Sequence, residues 1–286
     1  MPKCVVIRAG GLGDFILTLP FVKALAARSA QTTLITKPSF GELIRADNIA
    51  DRILNIDSAA FASCFHTPDD SMRRLLEDAA VYSFLPDRDG VFAGVAGDCG
   101  VRSLTIMDGT PATPPHVTKR MFADSDLTVP GALDNESILA PQARLAGRRL
   151  WLHPGSGSPA KNPELESLVE QADDWLKNND TGVILSFGEA DIELLPMSRR
   201  LFAGMPVEFV VEPTLPELRL ALVEKGAMYL GGDTGVTHLA AALGLETTVV
   251  FRCTDPRIWR PLGRRVHVLN EQELGAGHDG LMRNHS

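Results

Sequence analysis

Cysteine is scarce in this chain. Four occur in 286 residues, Cys4, Cys64, Cys99 and Cys253, and no two form a CxxC pair. That spacing excludes a thioredoxin-type motif or a paired-cysteine zinc site, and the number is too small for a disulfide scaffold. Reduced, buried thiols are the expectation. No apolar run approaches the ~20 residues of a membrane span, and no leader is expected, because a strand pattern starts at residue 4. An excess of basic charge is missing too. The net charge is −8, shared evenly between residues 1–140 and 141–286. A general nucleic-acid binder needs a cationic footprint, so nucleic acid is not an expected partner. Two nucleotide signatures are also lacking. The loop AGGLGD (9–14) places Ile16 where GxGxxG requires its third glycine, and it has no GK[ST]. Neither a dinucleotide fingerprint nor a P-loop is present. No set of side chains at metal-ligand spacing stands out, so neither metal nor cofactor is expected.

What the chain does contain is alternation. At roughly 100–200 residues per domain its length favours two domains. CVVIR (4–8), TTLITK (32–37), RILNID (52–57), AVYSFL (80–85) and VRSLTI (101–106) read as strands, with helical stretches at 40–46 and 69–79. Ile16, Leu19, Val22 and Leu25 form a helical stripe after the first strand. Pro20 inside it predicts a kink or a late start. Residues 108–149 are irregular and rich in Pro and Gly, and the boundary between the domains, 1–140 and 141–286, is expected there. The alternation then restarts with LWLHP (150–154), GVILSF (182–187), VEFVVE (207–212), AMYLGG (227–232) and TTVVF (247–251), separated by helices near 163–178, 189–203 and 215–224 and from Thr234. The tail after about 270 is polar and is expected to fray. Strand–helix alternation of this kind makes a parallel sheet with crossovers, and here it does so twice.

Three loops carry chemistry. In GGDTGVTHLAAALG (231–244), Val236, Leu239, Ala240 and Leu243 make the stripe that packs on a sheet, and Asp233 stands where an N-cap belongs. Thr234 and Gly235 open the helix after a strand, where free N–H groups and the helix dipole favour an anion. HPGSGSPAKN (153–162) leaves a strand through Gly155, Ser156, Gly157 and Ser158 and reaches Lys161. Its glycines and hydroxyls suit a backbone nest, with the lysine as a point charge. His153 is read as packed rather than catalytic. In AGGLGD the tight turn through Gly13 either presents Asp14 at the carboxyl end of a strand, where open α/β sheets place ligands, or uses it only as the N-cap of the next helix. Arg252, Arg257, Arg260, Arg264 and Arg265 cluster near the C-terminus. They suit phosphates, an anionic lipid surface or a solvated face, and Trp259 among them reads as a packing anchor.

VIRAGGLGDFILTLP, LHPGSGSPAKN and LGGDTGVTHLAAALGLETTVVF, followed by TDPRIWRPLG, resemble glycosyltransferase family 9, the bacterial heptosyltransferases, over roughly residues 4–270. The resemblance implies the GT-B fold, an α/β architecture of two Rossmann-like domains facing across a cleft. The first would bind the acceptor and the second the sugar nucleotide. It implies that Asp14 is the general base, that Lys161 binds the donor diphosphate, and that Asp233, Thr234 and Gly235 hold donor phosphates and sugar. Gly13, Ser156 and His238 fall on the same motifs, and Glu189 falls where a carboxylate reads the donor ribose. The implied activity is inverting, metal-independent transfer of a sugar from a nucleotide-diphosphate donor. ADP-heptose is the expected donor, and a lipopolysaccharide-core or related glycolipid the expected acceptor. The implied location is the cytoplasm, with peripheral contact at the inner membrane. One departure is visible: Lys161 is followed by Asn162 and Pro163 in place of the family's Trp-Pro pair. Competing expectations are another GT-B enzyme, a sugar-nucleotide epimerase, or a non-catalytic nucleotide-binding scaffold.

Overall fold

The computed structural model describes residues 2–125, 127–131, 133, 138–139 and 147–275. It divides between residues 131 and 132 into two compact units, each with its own parallel sheet. The boundary expected at residues 140/141 lies outside the described residues.

In the first unit the strands are β1 (Lys3–Arg8), β2 (Gln31–Thr36), β3 (Arg52–Asn55), β4 (Ala79–Ser83) and β5 (Ser103–Ile106), in the spatial order β3-β2-β1-β4-β5. All pairs are parallel, with Val5 opposite Thr33 on one side and Val81 on the other. The helices are α1 (Leu12–Ala26), α2 (Pro38–Leu43), α3 (Ala59–Ala62), α4 (Asp70–Leu76), α5 (Val91–Asp98) and α6 (Val117–Ala123). Val5, Ile7, Ile35 and Val81 build one core with Leu76 and Phe92. Another is aromatic: Phe21 of α1 meets Tyr82 and Phe122 edge-on. Such edge-to-face pairs suit the quadrupoles of the rings. The helix α1 begins at Leu12 and runs through Pro20, so a late start is overturned. Gly10, at φ +97°, makes the turn into it, a conformation that favours glycine.

In the second unit the strands are β6 (Arg149–His153), β7 (Val183–Phe187), β8 (Val207–Val211), β9 (Gly226–Gly232), β10 (Glu246–Val250) and β11 (Val266–Leu269), in the order β11-β10-β9-β6-β7-β8. These pairs too are all parallel. The helices are α7 (Leu165–Asn178), α8 (Leu195–Leu201), α9 (Leu215–Lys225), α10 (Gly235–Ala242), α11 (Pro256–Trp259) and α12 (Glu271–Gly275). In α7, Leu168, Ala172 and Trp175 recur at helical spacing and are buried against Leu150, Leu185 and Leu230. Thr214 and Glu217 close a capping box at the start of α9, which satisfies two otherwise orphan N–H groups. The helix expected over 189–203 is divided: a short turn at Ile192–Leu194 precedes α8, whose first turn takes Pro196. Part of the tail expected to fray, 271–275, is helical, and the rest lies outside the described residues.

Strand order reverses between β1 and β4 in the first unit and between β6 and β9 in the second. Parallel α/β sheets bind ligands at the carboxyl ends of strands flanking such a reversal. The AGGLGD loop leaves β1, and the HPGSGS and GGDTG loops leave β6 and β9. All three sequence motifs therefore sit at a topological switch point.

Candidate functional site

The second unit gathers its motifs around one carboxylate. Asp233, one residue beyond β9, is 6% exposed. Its Oδ2 accepts from Lys161 Nζ at 3.0 Å and from Thr254 Oγ1 at 2.7 Å. Its Oδ1 lies 3.3 Å from His238 Nε2. Burial works to raise the Asp233 pKa, but the hydrogen bond and charge of His238, the Thr254 hydroxyl and the Lys161 charge together bring it down to about 2. The carboxylate is thus a fixed anion that ties three loops together.

Its expected role as helix cap is corrected. Thr234 is the N-cap of α10, its Oγ1 accepting from the Thr237 N–H. The Thr237 hydroxyl in turn donates to the Gly232 carbonyl and meets the buried Tyr229 hydroxyl at 3.0 Å. Because Thr234 caps the helix, Asp233 is free to face Lys161. Gly235 is half-buried at the first position of α10, where N–H groups have no intrahelical acceptor.

The HPGSGSPAKN loop approaches β9 through glycine. A Cβ on Gly232 would stand 2.5 Å from the Lys161 carbonyl oxygen, and one on Gly155 would stand 2.1 Å from Asp191 Cβ. Ser156 spends its hydroxyl inside the loop, within reach of the Ser158 carbonyl (2.6 Å) and Asn162 Oδ1 (2.7 Å). Arg252 grips the far end, bonding the Asn162 carbonyl and Glu164 and lying 3.6 Å from Glu271. His153 is buried as expected. Its Nδ1 lies 2.9 Å from the Ser186 carbonyl, its Nε2 is 3.6 Å from Asp191, and burial lowers its pKa. Glu189 is exposed on the turn after β7.

In the first unit Gly13 lies in the first turn of α1 with Asp14, which is 30% exposed. Asp14 Oδ2 accepts from the Gly11 N–H at 3.1 Å, and its Oδ1 lies 3.4 Å from Arg8 Nη2. Lys37 donates to the Gly10 carbonyl at 2.8 Å and lies over the Phe40 ring.

Lys161, Asp233 and His238 are therefore in contact, with Thr234, Gly235 and Ser156 in the loops around them. Asp14 and Gly13 belong to the other unit. Two contributors, Thr254 and Arg8, were not singled out from sequence, whereas Arg252 belongs to the arginine cluster that was. Thr254 and Arg252 follow β10, and Arg8 ends β1 inside the quoted motif VIRAGGLGD. One expectation about thiols fails: Cys253 is exposed, while the other three cysteines are buried. In the arginine cluster, Arg257 pairs with Asp255 and Arg265 with the Gly244 carbonyl. Among the described residues no group of three His, Cys, Asp or Glu side chains could hold a metal, and no helix is long and apolar enough to cross a membrane.

Comparison with known proteins agrees with the motifs. Residues 174–281 match the model of glycosyltransferase family 9 (heptosyltransferase). A putative glycosyltransferase of Haemophilus influenzae is 22% identical over 181 residues, 57% of this chain. The match spans about half that relative's length, 47%. Among solved structures, a family 9 glycosyl transferase from Veillonella parvula superposes with a TM-score of 0.72 at 15% identity, covering 98% of this chain and 93% of that one. The E. coli heptosyltransferase WaaC with ADP gives a TM-score of 0.70 at 18% identity, covering 95% of each chain. The two parallel α/β sheets are those of the GT-B heptosyltransferase structures.

Proposed function

We propose that this chain, similar to glycosyltransferase family 9 in sequence and to GT-B heptosyltransferases in fold, transfers a sugar from a nucleotide-diphosphate donor. The observation that carries the reading is the Lys161–Asp233–His238–Thr254 cluster at the switch point of the second unit. The expected donor is ADP-heptose, and the expected acceptor a hydroxyl of a lipopolysaccharide-core or related glycolipid. WaaC, similar in fold, was solved with ADP, which supports an adenine nucleotide.

The residues divide the work by charge. A diphosphate carries negative charge and belongs on Lys161 and the N–H groups at the start of α10. Asp233 is itself an anion, so it repels phosphate. Its contributions are to aim the Lys161 ammonium and to accept from hydroxyls of the sugar. In the transfer, Asp14 takes the proton of the acceptor hydroxyl as its oxygen attacks the anomeric carbon. The C–O bond to the diphosphate breaks with inversion, and the leaving oxygen keeps the electron pair. Lys161 and the helix dipole stabilise that charge. No covalent intermediate is required. Each unit carries only part of this machinery.

Calorimetric titration with ADP, GDP and UDP tests the reading. Selective ADP binding that weakens tenfold or more in Lys161→Ala supports it, by loss of one charge-assisted contact of about 1.5–3 kcal/mol. Preference for UDP or GDP overturns the donor. No binding of any of the three favours a non-catalytic scaffold.

A further inference from the structure

Arg8 takes no part in the transfer chemistry itself. It is the last residue of β1 at the switch point of the first unit, and it is 4% exposed. Its guanidinium lies on the Phe84 ring, 4.5 Å from the centroid, and a Cβ on Gly109 would come within 3.0 Å of Nη1. Glycine in the loop after β5 and the aromatic face after β4 thus make a slot for this cation. Burying a guanidinium is costly unless it is paired. Among the described residues, Nε and Nη2 are buried without a hydrogen-bond partner. The ion pair recorded for Arg8 is with Asp14 Oδ1, at 3.4 Å.

Asp14 is held from two sides. The Gly11 N–H donates to Oδ2, Arg8 stands at Oδ1, and the Asp14 side chain remains 30% exposed. An acceptor hydroxyl reaches Asp14 from that open side, whereas the buried atoms of Arg8 offer it almost no surface. Arg8 therefore acts through Asp14 and not on substrate.

We propose that Arg8 is the positioning residue for Asp14, a cation set in the slot between Phe84 and Gly109 that fixes the carboxylate with one edge open to the attacking hydroxyl. The proposal rests on the reading of Asp14 as general base. Because the ion pair uses a single nitrogen, lysine at this position can supply it, whereas an arginine engaged through both forks could not be so replaced.

The test uses the full chain and needs no acceptor, because water can take the acceptor's place. ADP release from ADP-heptose is measured for the native chain, Arg8→Met, Arg8→Lys, Asp14→Asn and the Arg8→Met/Asp14→Asn double variant. Crystal structures of the two Arg8 variants are determined alongside, and thermal melts confirm that each folds. We expect Arg8→Met to lower kcat roughly tenfold or more with the donor KM unchanged, part of the 10²–10⁴ that a general base supplies. Arg8→Lys should recover most of that loss. The double variant should be no slower than Asp14→Asn alone, since a residue acting through Asp14 has nothing left to act on. In the Arg8→Met crystal the carboxylate should leave its place beside the Gly11 N–H. If Asp14 stays there, or if Arg8→Met slows the Asp14→Asn enzyme further, the proposal is overturned. Should Asp14→Asn release ADP at the native rate, or should the native chain release none, the base reading fails instead. The position of Asp14 in the Arg8→Met crystal then decides the positioning claim by itself.

Discussion

Asp233 accepts from Lys161 and Thr254 and meets His238 while nearly excluded from water. Its folded pKa, about 2, lies below the ordinary 3.8. A depressed carboxylate pKa stabilises the folded chain above the unfolded value. The contribution is present above about pH 4 and is lost as pH falls through 2. The shift corresponds to about 2 kcal/mol. Asp233→Asn keeps the shape and an acceptor oxygen but removes the charge. Urea denaturation at pH 7 should find the variant about 2 kcal/mol less stable, and the difference should shrink towards zero near pH 2. A difference that persists unchanged at pH 2 would mean that packing, not charge, is what the substitution disturbs. Lys161, whose side chain is 31% exposed, can be solvated once unpaired, so the cost of leaving it alone stays small.

At the scale of elements, the loop that carries Lys161 owes its position to close backbone approach. Gly232 ends β9 with the Lys161 carbonyl where its Cβ would stand, 2.5 Å away. Gly232→Ala must push the loop off the strand. Overpacking of this kind costs about 1–3 kcal/mol, and displacing Lys161 should weaken ADP roughly tenfold. Gly157 in the same loop has open space around it, so Gly157→Ala should melt within a degree or two of the native chain. Calorimetry and thermal melts on the pair check both. The elements themselves were largely legible in the sequence. Short runs of apolar and β-branched residues bounded by polar, Gly or Pro residues marked ten of the strands, and 3.6-residue stripes marked α1 and α10. What escaped was set by contacts distant in sequence or by weak patterning. The helix α5 reads VFAGVAGD, with two glycines and no polar face, and β11 is a four-residue edge strand. Asp233 and Thr234 are both good caps, and only the end of β9 decides between them. Thr254 and Arg8 lie in quoted motifs, but their partners cannot be read from spacing: Thr254 meets Asp233 across 21 positions, and the burial of Arg8 depends on Phe84 and Gly109.

At the scale of the whole molecule, the residues proposed for the donor, Gly13 apart, fall in one unit. Lys161, Asp233, Thr234, Gly235, His238 and Thr254 all follow residue 131, where the chain divides. The contacts that brace the loop carrying Lys161, Ser156 with Asn162 and Arg252 with Asn162, Glu164 and Glu271, follow it as well. The second unit also has a complete sheet and its own apolar core around Leu150, Leu185 and Trp175, the properties of a segment able to fold alone. A fragment of residues 132–286 should therefore bind ADP within about threefold of the intact chain, roughly 0.7 kcal/mol. It should release no ADP from ADP-heptose, because Asp14 and Arg8 are left behind. Calorimetry and a coupled ADP assay on the fragment check both halves. A folded fragment that fails to bind ADP would assign part of the donor site to the first unit. A fragment that turns over the donor would remove Asp14 from the chemistry, and Arg8 with it.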